Sequence, residues 1–428
     1  MGSRRHPDRD IDADIDEHAV KVAGPAHEAA GVKAVLVSLQ RGLESMGAVR
    51  TAAALARLNQ RHGFDCPGCA WPEDHGGRKL AEFCENGAKA VTKRVVTPEF
   101  FARHSIADLA ARPEYWLSQQ GRLTHPVVLR QGDDRYRPIS WDEAYRLIAD
   151  ELRTLGSPNE ALFYTSGRTS NEAAFLYQLM VRSFGTNNLP DCSNMCHESS
   201  GTALIEAIGI GKGSVTVEDV TKADLIVIAG QNPGTNHPRM LSVLEKAKAN
   251  GARIIAVNPL PEAGLIRFKD PQKVNGVVGH GIPIADEFVQ IRLGGDMALF
   301  AGLGRLLLEA DDASPGTVVD REFIAAHCAN FEEYEARTRA VDIDTVLQAT
   351  GIDRAQLELA SACHSGSREP SQVVVAKMMA ASQRTIVCWA MGLTQHRHAV
   401  PMISEIANLL LMRGMIGKPG AGLCPVRG

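Results

Sequence analysis

The sequence predicts a multidomain α/β protein in which parallel sheets are flanked by helices. Three apolar runs, Asp224–Gly230, Arg253–Val257 and Thr385–Met391, have the length and the β-branched content of buried strands. Segments with apolar residues at helical spacing alternate with these runs: Asn171–Phe184, Pro238–Ala249 and Val400–Arg413. Such alternation is typical of parallel sheets covered on both faces. The 428 residues suffice for more than one domain.

The composition is that of an ordinary globular protein. It contains 44% hydrophobic and 22% charged residues, with a formal net charge of −4. This balance gives no electrostatic reason to expect nucleic acid as a partner, and no apolar run is long enough for membrane insertion. Arg4 and Arg5 resemble the start of a twin-arginine signal, but the charged stretch His6–His18 follows them instead of an apolar one. We therefore expect a disordered tail and a cytoplasmic protein.

The N-terminal half carries weaker structural signals. Apolar spacing over Ala34–Leu58 predicts one or two surface helices. A short apolar strand is expected at Pro126–Arg130. Ser140 is a candidate N-cap, with Glu143 completing a capping box for the helix that follows. The run Ala161–Thr165 predicts a further buried strand.

Three cysteines in the first hundred residues suggest a metal site. The odd total of nine cysteines argues against a disulfide framework. Cys66 and Cys69 have the spacing at which two thiolates reach one metal centre, and Cys84 follows. An iron–sulfur cluster usually takes four thiolates, whereas structural zinc could add His62 or His75. A thioredoxin-type redox pair would require a helix directly after the second cysteine. Core packing is expected for Cys328, Cys363 and Cys388.

The stretch Asn187–Gly201 places an adjacent Cys196 and His197 in what is expected to be a polar loop between two helices. A thiolate is a soft metal ligand and a nucleophile, and an imidazole can transfer protons near neutral pH. If the loop opens a helix, the helix N-terminus also lowers the thiol pKa. The alternative is a buried structural cysteine beside a histidine that starts a helix.

Several glycine-containing loops follow the predicted strands. In open parallel sheets, ligands bind outside the C-terminal ends of the strands. Glycines there let backbone N–H groups approach a pyrophosphate. The segment Gly209–Gly213 lacks the dinucleotide fingerprint, so a plain nicotinamide site is weakly supported. The loops that end the strands are Gly167-Arg168-Thr169, Gly230–Thr235, Asn258-Pro259 and Gly392–Gln395.

Five ordered segments together resemble the molybdopterin-dependent oxidoreductases, specifically the formate dehydrogenase H-like alpha subunits. The resemblance extends from about Gly63 to Gly428. A set of segments in a fixed order is far more specific than any one of them. The segments are Thr165–Glu172, Asn187–Gly201, Ala229–Pro238, Trp389–Gln395 and Gly414–Gly422.

The resemblance implies roles for three residues at the reaction centre. Cys196 matches the cysteine or selenocysteine that ligates molybdenum or tungsten, and His197 matches an adjacent proton acceptor. Arg427 matches the arginine that holds an anionic substrate such as formate, a role that suits guanidinium geometry. The expected reaction is a two-electron oxidation of a small anion. Electrons then leave through the pterin and a 4Fe-4S cluster toward an electron-acceptor protein.

The resemblance also implies that the strand-end loops hold molybdopterin guanine dinucleotide. Asn258 stands where the family usually has an acid that contacts the nucleotide. Asp296 is a second candidate for that contact, with a helix N-cap as the alternative. The residues expected at the cofactor are Gly167, Arg168, Gly230, Asn232, Gly234, Thr235, Asn258, Asp296, Met391, Gly392 and Gln395.

By position, the resemblance assigns Cys66, Cys69 and Cys84 to the 4Fe-4S cluster. The family normally has four cysteines in this region, and Ala70-Trp71-Pro72 stands here in place of one of them. Lys89 matches a lysine that bridges cluster and pterin; the alternative is a solvated helix lysine.

The expected organisation is a tail (1–30), a cluster-binding domain (31–115), the first part of an α/β cofactor domain (116–190) and a second, Rossmann-like cofactor domain (191–428). The family continues for several hundred residues beyond the position of Arg427. We therefore expect a truncated chain or one half of a split chain, with Arg427 not rigidly held. The alternatives are an inactive fragment and a zinc-stabilised nucleotide-binding module.

Overall fold

A computed structural model describes residues 24–69, 71–73, 77–167, 169–354 and 375–427. At its centre is a parallel sheet with the strand order β5-β4-β1-β2-β3. The predicted parallel α/β architecture is confirmed, and the three predicted strands correspond to β1, β2 and β4. The strands are β1 (Leu225–Ala229), β2 (Arg253–Asn258), β3 (Glu287–Gln290), β4 (Thr385–Trp389) and β5 (Gly422–Pro425).

Both faces of this sheet are buried, and successive residues of each strand enter different cores. On β1, Leu225 and Val227 pack in one core, while Ile226 and Ile228 pack in the other. This alternation follows from the two-residue repeat of an extended chain. Every residue of β1 and β4 is buried, which explains their continuous apolar runs.

Long helices cover the sheet or lie beside it. Beyond residue 140 they are α1 (Trp141–Thr154), α2 (Asn171–Phe184), α3 (Cys192–Ile208), α4 (Met240–Ala249), α5 (Asp296–Ala313) and α6 (Ala399–Met412). Helices α3, α5 and α6 contribute to the core on one face, and α4 contributes to the core on the other. None of the helices in the described residues is both long and apolar enough to cross a membrane.

The remaining helices are shorter or lie near the N-terminus. The surface helices predicted over Ala34–Leu58 are confirmed as two, separated at Gly47 with φ +78°. The others are, in order, Glu85–Val91, Pro98–Arg103, Ile106–Ala110, Glu114–Gln120, Val217–Val220, Pro233–Asn236, Ala263–Ile266, Val274–Val277, Arg321–His327, Phe331–Arg339, Ile343–Thr350, Val375–Ala381 and Met391–Thr394, with a 3-10 turn at Pro158–Glu160. The two surface helices themselves are Gly31–Met46 and Ala48–Leu55.

Three short strand pairs lie outside the central sheet. Ala29–Ala30 pairs with Phe268–Lys269 in parallel, so the tail expected over residues 1–30 is wrong for these two positions. Residues 1–23 of that prediction lie outside the described residues. The other pairs are Val95–Val96 with Arg122–Leu123, and Val127–Val128 with Arg137–Pro138.

The buried strand predicted at residues 161–165 is wrong. Only Thr165 forms a β-bridge, with Asp191. Leu162 and Tyr164 are 76% and 52% exposed. A run of apolar residues forms a buried strand only where neighbours cover both of its faces, and here the second face is open.

The helix start predicted at Ser140 is confirmed, but the full capping box is not. Ser140 Oγ accepts a hydrogen bond from the Glu143 N–H at 3.1 Å. The Glu143 carboxylate instead accepts a bond from Arg130 Nη2 at 2.7 Å. The strand expected at Pro126–Arg130 is reduced to two residues.

Candidate functional site

The central sheet has a point at which its strand order reverses. From β1 the chain proceeds to β2 and then β3 on one side, whereas β4 and β5 add on the other side of β1. Parallel strands that neighbour each other at such a point leave a crevice outside their C-terminal ends, where ligands bind. In this protein the crevice is bounded by the loops that follow β1 and β4.

Two glycines hold these loops together at the crevice. The Gly392 N–H donates to the Gly230 carbonyl at 3.0 Å, and the Gly230 N–H donates to the Val257 carbonyl at 3.0 Å. A Cβ on Gly392 would lie 2.5 Å from the Gly230 Cα, and Gly230 has φ +58°. Larger residues would separate the loops, so this close backbone approach requires glycine at both positions.

Cys196 lies at a kink in helix α3, beside the loop after β4. The helix starts at Cys192, so the loop expected over residues 187–201 is wrong from that residue on. The helical geometry is interrupted at His197, with φ −133° and ψ 26°. The Cys196 carbonyl accepts hydrogen bonds from Thr394 Oγ1 at 2.7 Å and Gln395 Nε2 at 3.2 Å. These bonds attach the partly exposed Cys196 to the crevice.

His197 is a buried, neutral imidazole. Only 1% of the residue is exposed. Its Nδ1 lies 2.9 Å from Ser200 Oγ, which accepts a bond from the Trp389 indole at 2.9 Å. Burial, and next the positive charge of Arg427, lower the pKa of His197 to about 4. The indole and the imidazole thus share the Ser200 hydroxyl, which fixes the orientation of the His197 ring.

Arg427 is fixed at both its side chain and its backbone. Its guanidinium donates to the Gly211 carbonyl at 2.6 Å, and its own carbonyl accepts from His237 Nε2 at 2.7 Å. The preceding Val426 N–H donates to the Trp389 carbonyl at 2.8 Å, which continues the pairing of β5 with β4. The expectation that Arg427 is not rigidly held is therefore wrong. A cleft of ≈ 260 Å³ adjoins Arg427 and His237.

The residues predicted after β1 form a compact turn. Asn232 caps the helix Pro233–Asn236, because its Oδ1 accepts from the Thr235 N–H at 3.2 Å. The Asn232 amide donates to the Glu262 carboxylate. A Cβ on Gly234 would lie 3.0 Å from the Gly264 Cα. These contacts bring Asn232, Gly234 and Thr235 together at the end of β1, as the sequence predicted.

Asn258 ends β2, but its side chain forms a hydrogen bond within the protein. Asn258 is buried, and its Nδ2 donates to the Gln231 carbonyl at 3.0 Å, joining the loops after β1 and β2. The nearby acid is Glu262, whose pKa is raised by burial. Glu262 was not predicted from the sequence. Its position shortly after the end of a strand was the signal that could have identified it.

Asp296 and Gly167 lie at two other edges of the site. Asp296 is the first residue of α5 and is buried, and burial raises the pKa of its carboxyl group. Its alternative role as an N-cap is wrong, since Gly295 occupies that position. The Gly167 N–H donates to Cys192 Sγ at 2.8 Å, one helical turn from Cys196. Met391 is half exposed. Arg168 lies outside the described residues.

The three N-terminal cysteines are neighbours. The Gly68 N–H donates to Cys66 Sγ and the Gly87 N–H to Cys84 Sγ, each at 3.3 Å. Burial raises the pKa of both thiols, and charge on Cys69 would raise it further. A Cβ on Gly87 would lie 2.8 Å from Cys66 Sγ, so the thiols are tightly enclosed.

Within the part of the chain that the structure describes, these thiols are not arranged around a single metal ion. Among the described residues, no three His, Cys, Asp or Glu side chains are arranged to hold one metal ion. Zinc ligands lie within about 4 Å of one another, since each metal–sulfur bond is about 2.3 Å. The described residues therefore do not form the zinc site considered with His62, and His75 and Cys363 lie outside them. The described residues 71–73 after Cys69 are not helical, whereas a thioredoxin-type pair would have a helix there.

The cysteine region is attached to the loop after β1. Asn86 Nδ2 donates to the Thr235 carbonyl at 3.0 Å. The Trp71 ring meets His237 edge-on, with 6.4 Å between the ring centres. Lys89 lies on the same helix as Asn86, and partial burial lowers its pKa. The N-terminal thiols and the strand-end crevice thus belong to one connected structure.

The fold and the site define an α/β protein with a ligand crevice at a strand-order reversal and a thiol–imidazole pair beside it. The model of the molybdopterin oxidoreductase family matches residues 122–426, and this chain belongs to that family. The resemblance found in the sequence is confirmed at the level of the family.

Curated relatives span the same family. An uncharacterized oxidoreductase of Mycobacterium tuberculosis is 75% identical over 424 residues, covering 98% of this chain and 52% of that protein. Protein YdeP of Escherichia coli is 44% identical over 385 residues, covering 88% and 48%. Formate dehydrogenase H of Escherichia coli is 28% identical over 312 residues, covering 72% and 38%. The chain spans about half the length of the first two relatives.

Among solved structures, acetylene hydratase from Pelobacter acetylenicus has the same fold. The TM-score is 0.54 at 19% identity, and the match covers 70% of this chain and 36% of that one. The likeness supports the fold assignment alone.

Proposed function

We propose that this chain provides the metal-binding half of a molybdopterin oxidoreductase that removes two electrons from a small anion such as formate. The observation that carries the proposal is the anchoring of Cys196. Its carbonyl is bound by Thr394 and Gln395 of the loop after β4, so a thiol is held at the strand-order reversal. That is the place where an open parallel sheet binds a nucleotide-type cofactor.

The residues at the crevice fit molybdopterin guanine dinucleotide. Gly230 and Gly392 let the loops after β1 and β4 meet closely, and these two loops form the walls of the crevice. Asn232, Glu262 and the buried Asp296 supply polar groups around it. The Cys196 thiolate is a soft ligand suited to molybdenum or tungsten. The bound cofactor would supply two-electron redox chemistry at its metal.

In this proposal Arg427 attracts the anionic substrate and His197 accepts the proton. The Arg427 charge attracts an anion, and the same charge contributes to the low pKa of His197. An anion that compensates this charge raises the pKa of His197 and makes it a stronger base. His197 then accepts the proton released in the oxidation at a ring nitrogen, and Ser200 and Trp389 hold the ring in place.

The proposal includes a 4Fe-4S cluster at Cys66, Cys69 and Cys84, from which electrons pass to an acceptor protein. Two of these sulfurs accept backbone N–H bonds, an interaction that stabilises thiolates and tunes clusters. Lys89 would lie on the path toward the pterin, since its helix is bound to the loop after β1 through Asn86. Free thiols in all described cysteines suit the cytoplasm, where we place the protein.

The test of the proposed site is Cys196→Ser. It should abolish substrate oxidation and the retention of molybdenum or tungsten while the circular dichroism spectrum stays unchanged. Cys328→Ser is the matched control, because Cys328 lies away from the crevice on the segment after helix Arg321–His327. Full activity and metal content in the Cys196 variant would contradict the assignment.

A partner chain is the second part of the proposal, supported by an apolar face on α1, α2 and the segment 161–165. Helix α1 has no buried residue, and α2 buries only Val181. The exposed large apolar residues of this face are Trp141, Tyr145, Ile148, Leu162, Tyr164, Phe175, Leu176, Leu179 and Met180. Exposed apolar stripes of this kind mark interaction sites.

We infer that the occupant of this apolar face is polypeptide equivalent to the part of the longer relatives that this chain does not match. The M. tuberculosis relative is matched over only 52% of its length, so it contains enough further chain to cover the face. The exposed edge of residues 161–165 fits strand addition. The N–H groups of Phe163 and Thr165 donate to the carbonyls of Asn188 and Pro190. The N–H groups of Leu162 and Tyr164 therefore point to the opposite, open side of the segment.

Binding of the isolated remaining half of that relative to this chain tests the inference. Leu179→Glu places a charge in the apolar face and should weaken binding at least about tenfold. The control Gln178→Glu adds the same charge at a neighbouring exposed position of α2 and should change it little. Equal binding by both variants would contradict this occupant. The competing possibility is an inactive fragment, which would bind the partner without gaining activity.

A further inference from the structure

Two cysteines lie side by side on neighbouring strands. Cys388 of β4 and Cys424 of β5 are register partners in the parallel pair. Both pack with the core that contains Ile226 and Ile386, so their side chains leave the sheet on the same face. Sequence analysis expected Cys388 only to fill the core. The structure shows that Cys388 is, in addition, the register partner of a second thiol, that of Cys424.

The geometry of the pair permits a covalent link. Neighbouring strands lie about 4.8 Å apart, and disulfides accept Cα separations of about 4.4–6.8 Å. The hydrogen bond between the two thiols, and then burial, raise the pKa of Cys388. Because the two side chains leave the sheet on the same face at paired positions, a bond between their sulfur atoms requires no strand to change its register.

The two thiols differ in access. Cys388 is completely buried, whereas Cys424 is only partly buried and lines the ≈ 260 Å³ cleft beside Arg427. A small reagent in this cleft meets Cys424 first and has Cys388 directly behind it. This arrangement of an accessible thiol and an adjacent resolving thiol is typical of redox-active cysteine pairs.

We propose that Cys388 and Cys424 form a redox-active dithiol, which hydrogen peroxide entering the cleft converts to an intramolecular disulfide. The Cys424 sulfur attacks the peroxide oxygen, the O–O bond breaks, and one water leaves as the sulfenic acid forms. The Cys388 sulfur then attacks the Cys424 sulfur, and the sulfenic oxygen leaves as a second water. The two thiols lose two protons and two electrons, and hydrogen peroxide is reduced to two waters.

The disulfide would fix strand ends that also support the proposed reaction centre. Cys388 directly precedes Trp389, whose indole bonds Ser200 beside His197. Cys424 lies two residues before Val426, which donates to the Trp389 carbonyl. A dithiol reductant reverses the change by thiol–disulfide exchange.

The test uses the full chain in its purified, reduced form and does not require activity. Stoichiometric hydrogen peroxide should remove two titratable thiols and lower the intact mass by about 2 Da. Digestion should yield a peptide pair joined through Cys388 and Cys424, and dithiothreitol should restore both thiols. Absence of this joined pair, or a disulfide from Cys388 to a different cysteine, would overturn the proposal.

Single variants separate the two roles. In Cys388→Ser, the Cys424 sulfenic acid has no resolving thiol and should be trapped by dimedone. In Cys424→Ser, the buried Cys388 should lose its thiol at least about tenfold more slowly than in the parent. The control Cys328→Ser should form the joined pair at the parental rate. Equal rates of Cys388 oxidation with and without Cys424 would also overturn the proposal.

Discussion

Helices α6 and α1 each contain 14 residues and carry apolar positions at helical spacing, yet their surroundings are opposite. Nine residues of α6 are buried, and none of α1 is buried. Helix α1 has a side-chain N-cap, Ser140, whereas α6 has none. Packing stabilises α6, and local interactions stabilise α1. Helical periodicity therefore predicts the element and its apolar face but not what covers that face.

The largest difference in stability is expected between truncation of a buried side chain on α6 and truncation of an exposed side chain on α2. Leu409→Ala removes a fully buried side chain of α6 and should lower the free energy of unfolding by about 2–5 kcal/mol. Leu176→Ala on α2 truncates a side chain that is 62% exposed and should cost less than about 0.5 kcal/mol. Urea unfolding followed by circular dichroism measures both. Equal losses would show that α2 is packed as tightly as α6.

His197 should make stability depend on pH. Its pKa is about 4 in the folded chain and about 6.5 when unfolded, so the unfolded chain binds more protons between these values. The free energy of unfolding of the metal-free chain should therefore fall as the pH decreases from about 6.5 toward 4, by up to roughly 3 kcal/mol.

The variant His197→Asn should lose this pH dependence, since asparagine does not titrate. The control His125→Asn replaces an exposed histidine and should retain it. Urea midpoints of the parent and of both variants, measured at pH 7 and pH 5, give the pH dependence of stability for each. The same slope in the parent and in the His197 variant would mean that the imidazole is not buried.

A smaller effect is expected at the start of α1. Ser140→Ala removes the hydroxyl that accepts the Glu143 N–H and should destabilise α1 by about 1 kcal/mol. Because no buried contact of α1 compensates, hydrogen exchange should accelerate in its first turn and not in α6. If exchange in α1 were unaffected by the change, tertiary packing would have to stabilise this helix.

The central sheet was predictable from sequence because its strands are buried on both faces. The apolar runs of β1, β2 and β4 signal such burial directly, and the glycine loops after β1 and β4 signal a ligand crevice. Edge strand β5 was missed because Gly422 to Pro425 has no apolar periodicity, and residues 161–165 were misassigned because their apolar run lacks a covering neighbour. The kink at His197, the buried role of Asn258 and the contact of Glu262 with Asn232 depend on tertiary contacts that no local pattern encodes.

The site residues also differ in how well they could be predicted from the sequence. Cys196 and His197 were found because adjacent thiol and imidazole groups are chemically distinctive. The serine and tryptophan that orient His197 are ordinary core residues in the sequence. Arg427 was expected to be loose, since a terminal position does not reveal that β5 pairs with β4 up to Val426.

Metal analysis of anaerobically purified chain tests the central claim most directly. We propose that Cys196 lies at a molybdenum or tungsten site and that Cys66, Cys69 and Cys84 lie at an iron–sulfur cluster. The account predicts molybdenum or tungsten together with iron in the parent, and iron without molybdenum or tungsten in Cys196→Ser. Zinc alone, or unchanged molybdenum content in the variant, would contradict it.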